Sequence, residues 1–449
     1  MRVSFQNLRD SLVSFLSWAG SRHDLQYLFL FAFIFRFGYM MLMLGQVTSA
    51  EMLELAPDTI RYVNIGKGLI SWEIIDEGAI AIFGPGYGVF LGTIFLFTGV
   101  TAIPVLLIQI IMSSLSCGLI YKFGKELTGS KAIGLIAGYL AAVSFTSISL
   151  ANILLSDTLF FFLFIAGNLL FLRSFNSGKW SQIIASGVII GCAILTRAIG
   201  QFWPVVMLVL PIFFIPVFDR KERLIIRARL YGKYAVAALI SLLLMTVWIS
   251  RNYYYYDQPV FTLASAGGPA NVAAITWAEL ENKTSGEIKS EWYKEYASST
   301  GKDISLLINQ YQLYSEKTQE CLQEHPLGML KTYWNLVWDN VTAVNELYRA
   351  QLPLYKFSIM NTMYWYRGES YNLAHIVFSI IGMIILVLTQ RWRVLVFLGV
   401  IFFYFAVLIG FTQWQGSRLF YPALLAEVVL FATAIVFIWQ ILKSVRKLI

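Results

Sequence analysis

Ten apolar runs, at residues 25–45, 103–121, 133–151, 157–172, 182–199, 203–218, 234–250, 372–390, 394–411 and 419–441, each approach membrane-span length. Roughly 20 apolar residues are needed to cross the hydrocarbon core. With 58% hydrophobic and only 13% charged residues in a 449-residue chain, a soluble domain could not bury so much apolar surface. The chain therefore reads as an all-α polytopic membrane protein with about ten transmembrane helices.

The formal net charge of +8 does not point to nucleic acid, because Lys and Arg fall in short clusters between apolar runs. Clusters of that kind set membrane orientation. The run Gly84 to Gly99 decides the count: it is short, glycine-rich and interrupted by Pro85. Counting it as a span would place Lys122, Lys125, Lys131, Arg220, Lys221, Arg223, Arg227, Arg229 and Lys233 outside. Leaving it interfacial or re-entrant collects these with Arg2, Arg9, Arg22, Arg173, Lys179, Arg391, Arg393, Lys443, Arg446 and Lys447 on the cytoplasmic side. The second reading obeys the positive-inside rule and puts both termini in the cytoplasm. The first apolar helix then reads as a retained signal anchor.

Two regions face outward in this topology. Residues 1–250 form an N-terminal transmembrane module whose first extracytoplasmic loop, 46–102, holds Asp58, Glu73, Asp76 and Glu77. Residues 251–371 are polar enough for a small extracytoplasmic helical cap, with helical patterns over Ile304–Gln323 and Pro326–Val344. Residues 372–449 return to transmembrane helices. Cys117, Cys192 and Cys321 are too few for a disulfide framework.

The outer face collects residues able to do chemistry. Asp58, Arg61 and Tyr62 are spaced to share one helix face, and Asp157 starts a span at the same membrane face. Each aspartate reads either as a helix N-cap or as part of a carboxylate pair, a base with an orienting partner or a site for a possible divalent cation. Arg197, Arg251 and Arg418 end or begin spans on that side, where snorkelling to the interface is the ordinary explanation, but they run against the orientation rule, and a local anion such as a lipid phosphate accounts for them better. Arg36 and Glu427 lie inside spans, where an unpaired charge costs at least about 2.5–3.5 kcal/mol; they are expected to pair, or each to find a polar partner in the bundle. Tyr253 to Tyr256, Trp334 and Trp338 suit an interfacial belt. His325, His375 and Cys321 lack zinc spacing, and no Walker A, nucleophile elbow or dinucleotide fingerprint appears.

Taken in order, Asp58, Gly84-Pro85-Gly86-Tyr87, Asp157 and the Trp248 to Tyr253 segment resemble the GT-C glycosyltransferases. Within them the chain is most similar to glycosyltransferase family 39, the protein O-mannosyltransferase and aminoarabinose transferase type. The resemblance covers residues 25 to 260 best; His325-Pro326 and Ser417-Arg418-Leu419-Phe420-Tyr421-Pro422 look like later motifs. It implies a GT-C fold and an inverting transferase in a bacterial plasma membrane. The donor would be a polyprenyl-phosphate sugar, the acceptor an extracytoplasmic glycan, lipid or protein. Asp58 would be the catalytic base and Asp157 the second acid, with Arg61, Tyr62, Tyr87, Arg197, Arg251, Asn252 and Arg418 against the substrates. Two departures stand out: Thr59 replaces a second acid common in relatives, and Gly84 or a neighbour replaces a basic residue of the aminoarabinose enzymes. A polysaccharide polymerase or ligase using lipid-diphosphate glycans is the alternative enzyme, and a transporter built on Arg36 and Glu427 the alternative class.

Overall fold

The computed structural model describes residues 23–71, 77–215, 221–342, 369–411 and 418–448. Arg2, Arg9, Arg22, Glu73, Asp76, Arg220 and the Gly416-Ser417 pair lie outside them. The described residues form helices and turns without a strand. In chain order they are α1 (Asp24–Leu44), α2 (Pro57–Ser71), α3 (Glu77–Phe83), α4 (Gly86–Thr98), α5 (Ala102–Thr128), α6 (Lys131–Val143) and α7 (Phe145–Leu150). Next come α8 (Asp157–Ser177), α9 (Trp180–Thr196), α10 (Trp203–Val209), α11 (Pro211–Phe214) and α12 (Lys221–Tyr256). The cap holds α13 (Gly267–Glu281), α14 (Ser285–Thr300), α15 (Leu307–Glu324) and α16 (Pro326–Thr342), and the chain closes with α17 (Glu369–Leu388), α18 (Trp392–Ile409) and α19 (Leu424–Leu448).

Six of the described helical stretches are long and apolar enough to cross a membrane, at 24–44, 102–128, 157–177, 228–256, 392–409 and 421–445. Shorter apolar helices lie at 86–98, 131–143, 180–196, 198–214 and 373–388. Two of the runs expected to be single spans are broken: Ser144 interrupts 133–151, its hydroxyl accepting from Ser147 N–H to start α7, and Pro211 divides 203–218. At 13 residues, α4 is roughly 20 Å long, short of the roughly 30 Å hydrocarbon core.

Glycines set how α4 sits. A Cβ on Gly88 would lie 2.1 Å from Ile65 Cγ2, and one on Gly92 2.9 Å from Leu69 Cβ. Small residues let α4 lie directly along α2, whose own 15 residues carry Asp58 at their start. Gly86 packs on a second neighbour, since its Cβ would fall 2.6 Å from Thr196 N at the end of α9. The glycine-rich segment thus joins the helix bearing Asp58 to the helix end preceding Arg197.

Arg36 and Glu427 do not pair. Arg36 is fully buried, and its guanidinium donates to Ser113 Oγ (2.7 Å), Ser147 Oγ (2.7 Å) and the carbonyls of Ala32 (3.0 Å), Ala142 (3.1 Å) and Ala141 (3.3 Å). A planar fork of donors satisfied by hydroxyls and by the carbonyls ending α6 lowers the cost of burial without a counter-charge. Among the described residues no side chain donates to the Glu427 carboxylate, although Ser379 Oγ donates to its backbone carbonyl at 3.3 Å.

The cap has its own core, built from Val272, Ala273, Ile288, Trp292, Leu313, Cys321 and Leu336 among others. Its α14 begins with a capping box in which Thr284 and Glu287 satisfy each other's backbone N–H groups. Tyr333 Oη donates to Val407 O (2.7 Å) and Asn340 Nδ2 to Ile409 O (3.2 Å), docking α16 on the end of α18. Trp334 and Trp338 stay exposed on the other side of α16, and Tyr253 to Tyr255 are exposed at the end of α12.

Candidate active site

Four elements end at one place. Asp58 opens α2, Asp157 opens α8, Arg197 follows α9, and Arg418 precedes the turn into α19. Arg418 Nη1 donates to Asp58 Oδ2 at 3.0 Å and Arg418 Nε to Asp157 Oδ2, also at 3.0 Å. Arg197 Nη1 donates to the other oxygen, Asp157 Oδ1. Both carboxylates lie at helix N-termini, where the backbone dipole favours negative charge. Neither aspartate caps its helix with its side chain: among the described residues no backbone N–H donates to either carboxylate.

The two acids differ in exposure. The Asp157 side chain is 0% exposed and that of Asp58 30%. The residue after Asp157, Thr158, donates its hydroxyl to Leu150 O at 3.0 Å, which ties the start of α8 to the end of α7. A cavity of about 690 Å³ opens beside Asp58, Arg197 and Arg418, with Tyr62, Phe83 and Phe202 on the membrane side and Asn271, Gln310, Tyr311 and Tyr314 on the cap side. A volume of that size suits a small ligand.

Supporting contacts lie behind this front. Thr59 Oγ1 donates to Leu154 O (3.2 Å), and Tyr62 Oη to Ser156 Oγ (3.0 Å), so α2 is pinned to the loop that precedes Asp157. Thr59 therefore fills its position structurally. Burial pushes the Tyr62 hydroxyl above its ordinary pKa, which keeps it protonated as a donor. Tyr87 meets the Tyr62 ring edge to face at 4.8 Å and donates to Gln109 Oε1 at 2.6 Å.

Several expected site residues stand elsewhere. Asp157 does not line the cavity; it lies behind Arg197 and Arg418 and orients them. Tyr87 is fully buried under Tyr62. Arg61 is exposed on α2 with its guanidinium 5.9 Å from the Phe83 ring centre. Arg251 lies within α12, which continues to Tyr256, and its guanidinium stacks on Trp248 (5.2 Å) and Tyr255 (4.6 Å). Asn252 is buried and donates to Val260 O (3.1 Å) and Phe261 O (2.9 Å), closing the turn into the cap. The cap residues on the cavity had no signal in the sequence, since only their packing brings them over Asp58. Among the described residues no group of three His, Cys, Asp or Glu could hold a metal ion. Arg418 lies between the two carboxylates that a bridging cation would need.

Residues 84–250 match the model of a family described as dolichyl-phosphate-mannose-protein mannosyltransferase, a match that includes Asp157 and Arg197 and covers less than half of the chain. No curated protein matches by sequence. Among solved structures, the apo oligosaccharyltransferase of Archaeoglobus fulgidus is similar at TM-score 0.55 and 12% identity, over 95% of this chain and 52% of that one. The same enzyme tethered to an acceptor peptide gives TM-score 0.53 and 13% identity, over 96% of this chain and 51% of that one. ArnT of Cupriavidus metallidurans bound to undecaprenyl phosphate gives TM-score 0.38 and 13% identity, over 93% of this chain and 78% of that one. The chain spans about half the length of the oligosaccharyltransferase, and that likeness is one of fold. The chain thus shares its fold with the archaeal oligosaccharyltransferase over nearly its whole length, and residues 84–250 carry the sequence pattern of the mannosyltransferase family.

Proposed function

We propose that the protein transfers a sugar from a polyprenyl-phosphate donor to an extracytoplasmic acceptor, with inversion at the anomeric carbon. The observation that carries this reading is the bridge Asp58–Arg418–Asp157 at the wall of a cavity that also holds Arg197. A carboxylate and two guanidinium groups are what this reaction needs: a proton acceptor for the nucleophile and cations for the departing phosphate.

The acceptor hydroxyl or amine attacks the anomeric carbon as Asp58 takes its proton. The carbon–oxygen bond to phosphate breaks on the opposite side, and the lipid phosphate leaves as an anion held by Arg418 and Arg197. A phosphate reaching Arg418 competes with Asp58 for Nη1, so donor binding releases the base. Asp157 keeps both guanidinium groups oriented and takes no proton. We read Arg418 as standing where a divalent cation would bridge the acids, and turnover that persists in a chelator tests that point.

The reading is tested by incubating purified protein with labelled polyprenyl-phosphate sugars and following release of lipid phosphate. Asp58→Asn should bind the donor but lose about 100- to 10,000-fold in rate, the usual loss on removing a positioned base. Wild-type turnover by that variant would refute the assignment.

A further inference from the structure

The cap wall of the cavity carries a hydrogen-bonding pair whose polarity its partners dictate. Lys289 Nζ donates to Asn271 Oδ1, so the amide nitrogen of Asn271 remains as a donor. Gln310 Nε2 donates to Ile304 O at 3.0 Å, so the amide oxygen of Gln310 remains as an acceptor. An ammonium accepts no hydrogen bond and a carbonyl donates none, so neither amide can be flipped without losing its partner. Both residues line the cavity beside the rings of Tyr311 and Tyr314. The Tyr314 hydroxyl bonds to that of Tyr293, and burial first, then that bond, push its pKa up, so it stays neutral.

All charged residues on the described cavity wall belong to the membrane side: Asp58, Arg197 and Arg418. The cap side offers one amide donor, one amide acceptor, the hydroxyl residues Thr262 and Ser265 and aromatic surface. Carbon–hydrogen faces of a sugar ring pack on aromatic rings, and its hydroxyl groups both donate and accept. Among the described residues of the cap wall, a cationic aminosugar would find no acid and would meet Lys289 behind Asn271, and a uronic acid would find no cation.

We propose that Asn271, Gln310, Tyr311 and Tyr314 form a subsite for an uncharged, hydroxylated sugar ring held over Asp58. The inference rests on the transferase reading and deepens it by naming the substrate class. The same ring chemistry belongs to the sugar of the donor lipid and to a neutral glycan acceptor, and the test separates them.

Binding is measured on the full-length protein for polyprenyl-phosphate glucose, polyprenyl-phosphate 4-aminoarabinose and polyprenyl phosphate without sugar, with methyl glucoside as a soluble neutral probe. Asn271→Asp preserves shape and keeps Lys289 partnered while replacing the donor with an acceptor. If the subsite holds the donor sugar, this variant weakens the glucose lipid about 10- to 100-fold and leaves the sugar-free lipid unchanged. If it holds the acceptor, both lipids keep their affinity and only methyl glucoside is weakened. Unchanged sugar-free lipid binding shows that the variant folds, and Tyr314→Phe serves as a second variant leaving the amide pair intact. Equal weakening of every probe or no change in any would overturn the proposal, as would a glucose lipid that weakens in the variant although the wild type binds it no more tightly than the aminoarabinose lipid. These are binding readouts, so a protein that binds as described but releases no lipid phosphate would instead count against the transferase reading.

Discussion

Arg418 donates through Nε to Asp157 Oδ2 at 3.0 Å, and the carboxylate that receives it is wholly shielded from solvent. Its other contact, to the partly exposed Asp58, shares one guanidinium between a buried acid and an accessible one. That difference in burial separates the environments of two aspartates with the same charge.

Asp157→Asn should destabilise the protein by about 3–5 kcal/mol, because it leaves Arg197 and Arg418 buried without their carboxylate. Asp58→Asn should cost under about 1 kcal/mol, as expected of a partly exposed ion pair. Thermal unfolding in detergent compares them; equal losses would contradict the division of roles.

Arg418→Lys tests geometry at constant charge. Lysine is a point donor on a flexible stem and cannot hold two carboxylates with the fixed fork of a guanidinium. Release of lipid phosphate should fall by about 100- to 1,000-fold, the scale for losing a preorganised donor. A lysine variant with native turnover would show that charge alone suffices.

The partner set of Arg36 predicts independence from Glu427. In a double-mutant cycle, Arg36→Met and Glu427→Gln should be additive in stability to within about 0.5 kcal/mol. A coupling energy well above that would restore the charge pair rejected by the contacts to Ser113 and Ser147.

Gly86→Ala would put a methyl group 2.6 Å from Thr196 N and 2.7 Å from the Leu195 carbonyl carbon, both backbone atoms that cannot swing aside. Overpacking of this kind costs about 1–3 kcal/mol, and here it pushes on the residue before Arg197. Gly232→Ala meets nothing within 4 Å and should be neutral or stabilising by up to about 1 kcal/mol. Melting temperatures and turnover of the two variants form the comparison.

In the cap, the Thr284 backbone N–H and then its hydroxyl hold the Glu287 carboxyl below its ordinary pKa of 4.5. A depressed folded-state value means the contribution is complete above pH 4.5 and is lost as the pH falls through the folded pKa. Protection of the first-turn amides of α14, measured as exchange relative to the unstructured rate at the same pH, should therefore fall below about pH 4.5, and Glu287→Gln should flatten that dependence. The same change of protection with pH in both proteins would remove the capping box as its cause.

Membrane class and helical architecture were legible in the apolar runs, because a bilayer demands long apolar helices whatever surrounds them. Arg197 and Arg418 were legible as candidates because basic residues on the outer face run against the orientation rule, and Asp58 and Asp157 because the topology puts them on that same face. The breaks at Ser144 and Pro211 were not resolved by hydropathy, which averages over a window and passes over one capping hydroxyl or one missing N–H. Arg251 carried the same local signal as Arg418, yet α12 continues past it and its own helix supplies the aromatic rings that receive it.

The sequence by itself determined that this chain lives in a membrane, is built of helices and keeps acids and arginines at one face, because composition and charge placement act locally. Tertiary structure decided which of those charges meet, that Asp157 stands behind the arginines, and that the cap lays Asn271 and Gln310 over Asp58. Those outcomes depend on contacts between residues hundreds of positions apart, such as Asp58 with Arg418, and no local pattern encodes them.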